Sequence, residues 1–177
     1  MDIRKITEDF SVSPQITAAD MATIREAGFR AIICNRPDGE GSDQPNFDEI
    51  EAAANAEGLR TRYLPITSGM VRDEDAGDFD QALRELPAPT LAYCRTGTRS
   101  ATLWSLGEAE RRPVPAILAA TRAAGYDMTG VARRIANGGR TPTDAGDARF
   151  DLVIVGGGAA GISVAASLKA RRADLDI

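Results

Sequence analysis

Thr90-Leu91-Ala92-Tyr93-Cys94-Arg95-Thr96-Gly97-Thr98-Arg99-Ser100 is an apolar run that ends in a cysteine, then a turn rich in donors, then the start of a helical pattern. If the run is a strand and residues 101–111 a helix, the backbone N–H groups of the loop converge at a helix N-terminus, where the macrodipole favours negative charge. The same field favours a thiolate. A cysteine with an ordinary pKa of about 8.5 falls by several units at a helix N-terminus beside arginine, so Cys94 is expected to be a nucleophile seated in an anion cradle. Cys94 and Arg99 are the expected catalytic pair. Arg95, Thr96, Gly97, Thr98 and Ser100 are expected to bind an anion, with Arg36 reaching in from the loop after an earlier strand.

Outward from this loop, strand-like and helix-like segments alternate as far as residue 137. Such alternation predicts βαβ units and an α/β fold whose mostly parallel central sheet is flanked by helices. Residues 3–6 and 10–13 read as short edge strands, and residues 29–34 and 59–66 as later ones. Thr17-Ala18-Ala19-Asp20 and Asn46-Phe47-Asp48-Glu49 carry helix-cap patterns, and Gly28 and Gly58 end the helices that follow. Asp73–Leu86 predicts a further helix. Asp73 and Asp75 at its start are candidate general acids, although acidic residues are favoured at a helix N-terminus in any case.

Composition narrows the chemistry. The chain has 177 residues, a formal charge of −5 and no histidine, and a pI near 4.9. No lysine or arginine cluster exceeds a pair, so nucleic acid is not an expected partner. Without histidine there is no Cys-His or Ser-His pair and no histidine metal site, and no metal is expected. The two cysteines, Cys34 and Cys94, lie in separate apolar runs, which suits a reduced, cytoplasmic protein better than a disulfide framework. Cys34 reads as an inert buried thiol. No stretch reaches membrane-spanning length, and the first residues lack a leader's apolar core.

Residues 138–149 read as a polar linker between the domain of residues 1–137 and a second segment, 150–177. That segment opens with the apolar run Phe150-Asp151-Leu152-Val153-Ile154-Val155, followed by Gly156-Gly157-Gly158-Ala159-Ala160-Gly161 and a helical pattern. Strand, glycine triad and helix in this order predict a Rossmann-type β-α segment. Gly156 would make the tight turn, Gly158 would admit a pyrophosphate and Gly161 would allow close helix packing. The run resembles the N-terminal FAD-binding segment of pyridine nucleotide-disulfide oxidoreductases. Because the chain stops at Ile177, before an acidic residue for the ribose, FAD is expected only in a longer fusion, and the main domain needs no cofactor.

Residues 3–135 resemble the phosphatase-like domain of beta-lactamase hydrolase-like proteins. The resemblance rests on Ser11-Val12-Ser13-Pro14-Gln15-Ile16, Asn35-Arg36-Pro37-Asp38-Gly39-Glu40, Tyr93–Ser100 and Ala124-Gly125-Tyr126-Asp127. It implies the cysteine-phosphatase fold, and it implies fusion to sulfur-metabolising modules, among them sulfide:quinone oxidoreductase-like flavoproteins. Two chemistries then compete for the loop. Cysteine phosphatases typically place their arginine one position later, where this chain has Ser100, whereas Cys94–Arg99 is similar to the active loop of single-domain rhodaneses. On that count the expected activity is sulfur transfer. Cys94 would take sulfane sulfur from thiosulfate or a persulfide and hold it as a persulfide. The alternatives are a phosphatase working through a Cys94 phosphocysteine, and a non-catalytic docking module of the flavoprotein. The expected partners are a small sulfur donor or anionic substrate and that flavoprotein domain.

Overall fold

The computed structural model describes residues 1–143, and Met1–Thr141 form one compact unit. Five strands, β1 (Arg4–Lys5), β2 (Phe10–Ser13), β3 (Ala31–Cys34), β4 (Arg60–Tyr63) and β5 (Thr90–Tyr93), make one sheet in the order β1-β2-β5-β3-β4. Only β1 pairs antiparallel. The α/β reading with a mostly parallel sheet and flanking helices therefore describes the molecule.

Central β5 is buried on both faces, as parallel strands covered by helices are. Alternation along the strands divides two cores. Val12, Ala31, Ile33 and Ala92 face α3 (Asp73–Glu85), α4 (Thr98–Gly107), α5 (Val114–Ala123) and α6 (Ala132–Ala136), whereas Ile32, Cys34, Leu91 and Tyr93 face α1 (Met21–Glu26) and α2 (Phe47–Ala56). Phe10 sits between the Trp104 ring, stacked at 6.1 Å, and the Phe79 ring, edge-on at 5.9 Å, which joins α3 and α4 to the sheet.

Three expectations are corrected. The segment 10–13 is not an edge strand, because β2 lies between β1 and β5 in the register Phe10↔Thr90 to Ser13↔Tyr93. Its short alternating pattern hides a strand whose four residues are all buried. The sheet's edges are instead two-residue β1 and polar β4, both poor templates for further pairing. Helix α4 begins at Thr98, three residues earlier than expected, because Gly97 at φ 87° caps it directly. The compact unit also runs past residue 137, since Gly139 N–H bonds the Arg134 carbonyl and Thr141 bonds Asp73.

The parallel strands end in line, with Ser13, Tyr93, Cys34 and Tyr63 in register. Their following loops therefore meet at one carboxyl edge of the sheet, the usual place for a site in an open α/β fold. Cys94 is the first residue beyond β5.

Candidate active site

The cysteine loop is held from three directions. From within, the Gly97 N–H donates to Cys94 Sγ at 3.2 Å. The left-handed Gly97 backbone turns the chain back over the sulfur, and the Ala101 N–H bonds its carbonyl at 3.0 Å to begin α4. From behind, the Tyr126 hydroxyl donates to the Thr96 carbonyl at 3.2 Å. A Cβ on Gly97 would collide with that hydroxyl and approach the Ser13 carbonyl to 3.3 Å, so glycine is required here for space as well as for φ. From the side, the Gln15 N–H reaches the Arg95 carbonyl at 3.5 Å.

Arg99, on the first turn of α4, points back beneath the loop. Its Nη1 donates to the Asn35 carbonyl at 2.8 Å and its Nη2 to Glu40 Oε1 at 2.7 Å. The other Glu40 oxygen accepts from Arg36 Nε at 2.9 Å, and Arg36 Nη1 donates to Gln15 Oε1 at 2.9 Å. One carboxylate thus bridges two guanidinium groups whose side chains are each 7% exposed. Burial pushes the Glu40 carboxyl up, but the bonds and charges of Arg99 and Arg36 outweigh it and hold the group below the usual carboxylate range. Asn35 completes the frame, with its Oδ1 accepting from Ser100 Oγ at 2.8 Å and its N–H bonding the Tyr93 carbonyl at 2.9 Å.

Above this frame lies a cleft of about 640 Å³. Cys94, Arg95, Thr96, Thr98 and Arg99 line it together with Glu40, and Val71, Val131 and Arg134 are on its wall as well. Arg95 is exposed and makes no ion pair among the described residues. A cavity of this size suits a small molecule or a single side chain.

The family described as beta-lactamase hydrolase-like protein, phosphatase-like domain, matches residues 2–111. The chain belongs to this family. A beta-lactamase hydrolase-like protein of Agrobacterium fabrum is 35% identical over 105 residues, which are 59% of this chain and 24% of that one. The chain thus spans about a quarter of the length of that curated relative. The crystal structure of a candidate phosphatase from Neisseria meningitidis shares 37% identity over 78% of this chain and 99% of its own, with a TM-score of 0.70. P. aeruginosa TpbA, in a cysteine-to-serine form complexed with phosphotyrosine, shares the fold at 16% identity and TM-score 0.50, over 77% of this chain and 91% of its own.

These relatives alter the balance between the two chemistries. The family model is described as phosphatase-like and the Neisseria structure as a candidate phosphatase, and none of these descriptions supports the sulfurtransferase expectation. Ser100 stands where the later arginine would fall, yet it is fully buried with its hydroxyl given to Asn35, and it is not on the wall of this cleft.

Among the other expected site residues, the structure brings Cys94, Arg95, Thr96, Thr98 and Arg99 together and places Gly97 to supply its N–H. Arg36 is not at the cleft, because Glu40 and Gln15 hold it beneath. Asp73 and Asp75 are not there either. Asp75 folds back onto the Arg72 backbone and side chain at the start of α3. Asp73 accepts from Thr141 and Arg134. Thr141 chiefly lowers the Asp73 carboxyl, and at Asp75 the Arg72 bonds overcome the upward push of burial, so both are lowered rather than poised to donate a proton. Cys34 lies on the opposite face of the sheet, where burial pushes its thiol up to about 11. Gly156, Gly158 and Gly161 lie outside the described residues, as does the rest of the expected FAD segment. Among the described residues no cluster of three or more Cys, Asp or Glu could hold a metal, and no helix is long and apolar enough to cross a membrane.

Three residues escaped the sequence reading. Glu40 could have been found by asking what neutralises a buried Arg99, since it lies in the loop after β3 at the same sheet edge. Only the tertiary structure shows the Tyr126 hydroxyl bracing the loop. Arg134 carried no signal at all.

Proposed function

We propose that this domain is a cysteine-dependent phosphatase acting on phosphomonoesters. The observation that carries the reading is the arrangement of the loop, in which Cys94 Sγ sits under the Gly97 N–H at the N-terminus of α4 and lines one cleft with Arg99, on a fold shared with a candidate phosphatase. The N-terminal dipole of α4 and the arginines favour the three equatorial oxygens of a phosphoryl group in flight. Cys94 Sγ attacks phosphorus, an S–P bond forms and the P–O ester bond breaks, releasing the alcohol oxygen with the bonding electron pair. Water then attacks the phosphocysteine, the S–P bond breaks and inorganic phosphate leaves.

Proton supply limits the substrate. Glu40 is the sole carboxylate on the cleft wall among the described residues, and its ion pairs keep it charged. No histidine exists and Asp73 and Asp75 are engaged elsewhere. General acid catalysis, ordinarily worth about 10²–10⁴-fold, is therefore weak, which favours leaving oxygens that are stable as anions. Aryl phosphates, the phosphotyrosine side chain included, meet that condition better than alkyl ones.

The deciding experiment incubates the purified domain with p-nitrophenyl phosphate, and in parallel with thiosulfate and cyanide. Phosphate release that is lost in Cys94→Ser, with a phosphocysteine trapped by rapid acid quench, supports the reading. Thiocyanate formation without phosphate release would overturn it, and absence of both would leave a docking module.

A further inference from the structure

The geometry points to Arg134 as a second anion subsite of the cleft, selecting phosphomonoesters that carry a further phosphate or carboxylate group. This rests on the phosphatase reading of the Cys94 loop and extends it to the class of substrate.

Arg134 lies on α6, beyond the 2–111 segment that the family match covers, and it reaches the cleft wall next to Val71 and Val131. It is fixed in place before any ligand arrives. Its Nη1 donates to the Val71 carbonyl at 2.7 Å and its Nη2 to Asp73 Oδ1 at 2.7 Å, and 17% of its side chain is exposed. A guanidinium has five N–H donors, and with Nε buried these two bonds leave one N–H on each Nη for a ligand.

Its charge is also incompletely balanced. The Asp73 carboxylate that it touches accepts the Thr141 N–H and hydroxyl as well, at 2.9 and 2.8 Å, and stands in the first turn of α3, whose positive end already neutralises part of it. The rest of the cleft leans the same way. Glu40, its acidic wall residue, is matched by Arg36 and Arg99, and Arg95 is unpaired among the described residues. A ligand with one phosphoryl group satisfies the Cys94 loop and leaves Arg134 exposed to solvent. A second anionic group on the same small molecule would meet a guanidinium already oriented, so little ordering entropy is lost on binding.

The test uses phenyl phosphate, 4-carboxyphenyl phosphate and the 1,2-, 1,3- and 1,4-phenylene bisphosphates as probes. Affinities are measured calorimetrically on Cys94→Ser, alone and combined with Arg134→Gln or Arg134→Lys, and KM and kcat on the catalytic forms. The expected result is that at least one probe with a second anionic group binds roughly tenfold tighter than phenyl phosphate, and that Arg134→Gln removes most of this preference. Arg134→Lys should retain part of it, and the loss should fall on KM rather than kcat. Comparing each probe's variant-to-parent ratio cancels differences in leaving group. Arg134→Lys keeps the test open if Arg134→Gln melts early through loss of its tie to the α3 start.

Equal losses on all probes would show that Arg134 merely braces the fold and would overturn the proposal, as would the absence in the parent of any preference for a second anionic group. The binding arm needs no turnover. A domain that hydrolyses nothing but still shows the Arg134-dependent preference would defeat the phosphatase reading while keeping the subsite.

Discussion

Replacing Glu40 by Gln isolates the buried ion bridge that seats Arg99. In the native domain one carboxylate accepts from Arg99 Nη2 at 2.7 Å and from Arg36 Nε at 2.9 Å, and both guanidinium side chains are 7% exposed. Deleting the shared partner of a buried pair costs about 3–5 kcal/mol, because the charges left behind stay desolvated. Two features reduce the figure. Glu40 itself is 22% exposed, and the glutamine carbonyl can keep one neutral hydrogen bond, so the expected loss is about 2–3 kcal/mol. At about 3–4 °C per kcal/mol for a domain of this size, the melting temperature should fall by roughly 8 °C.

The pH dependence has a definite sign. Because the folded carboxyl sits below its unfolded value, its contribution is complete above the unfolded pKa of about 4.3 and fades as pH falls through the lower folded value. Urea melts of parent and Glu40→Gln between pH 7 and pH 2.5 should therefore show a constant gap down to about pH 4.3 and convergence below it. Equal stability at pH 7, or a gap that persists unchanged to pH 2.5, would refute the bridge. Arg99 freed from Glu40 should also lose its orientation, lowering kcat/KM on p-nitrophenyl phosphate by more than the stability loss explains.

Three further outcomes are expected. Gly97→Ala should cost about 1–2 kcal/mol for a Cβ at positive φ and more for its collision with the Tyr126 hydroxyl, and kcat should fall sharply as the N–H leaves Cys94 Sγ. Rates across aryl phosphates of graded phenol acidity should rise steeply with acidity, and a flat profile would mean that some group does supply the proton. Cys34 should resist iodoacetamide at pH 8.5 in the folded Cys94→Ala protein and react once urea unfolds it. Its thiol is raised to about 11 by burial, so the stability it contributes is full below the unfolded value of about 8.5 and lost as pH climbs toward 11, a loss that Cys34→Ala should abolish in alkaline melts.

The sequence by itself determined the elements and the place of Cys94. The apolar run Thr90–Tyr93, the glycine at 97 and the helical pattern after it place a cysteine at a strand end and a helix start, because hydrophobic period and turn chemistry are local properties. The small drift at element ends reflects caps, which depend on single side chains. Strand order was not legible, since β2 becomes interior only by pairing with β5, eighty residues later. The use of each polar residue was equally a tertiary matter. Ser100 and Arg36 look like anion ligands until Asn35, Gln15 and Glu40 are seen to hold them, and Asp73 and Asp75 look like acids until Thr141, Arg134 and Arg72 occupy their oxygens. A charged side chain binds whichever partner the fold brings within about 3 Å, and partners distant in the chain leave no periodicity to read.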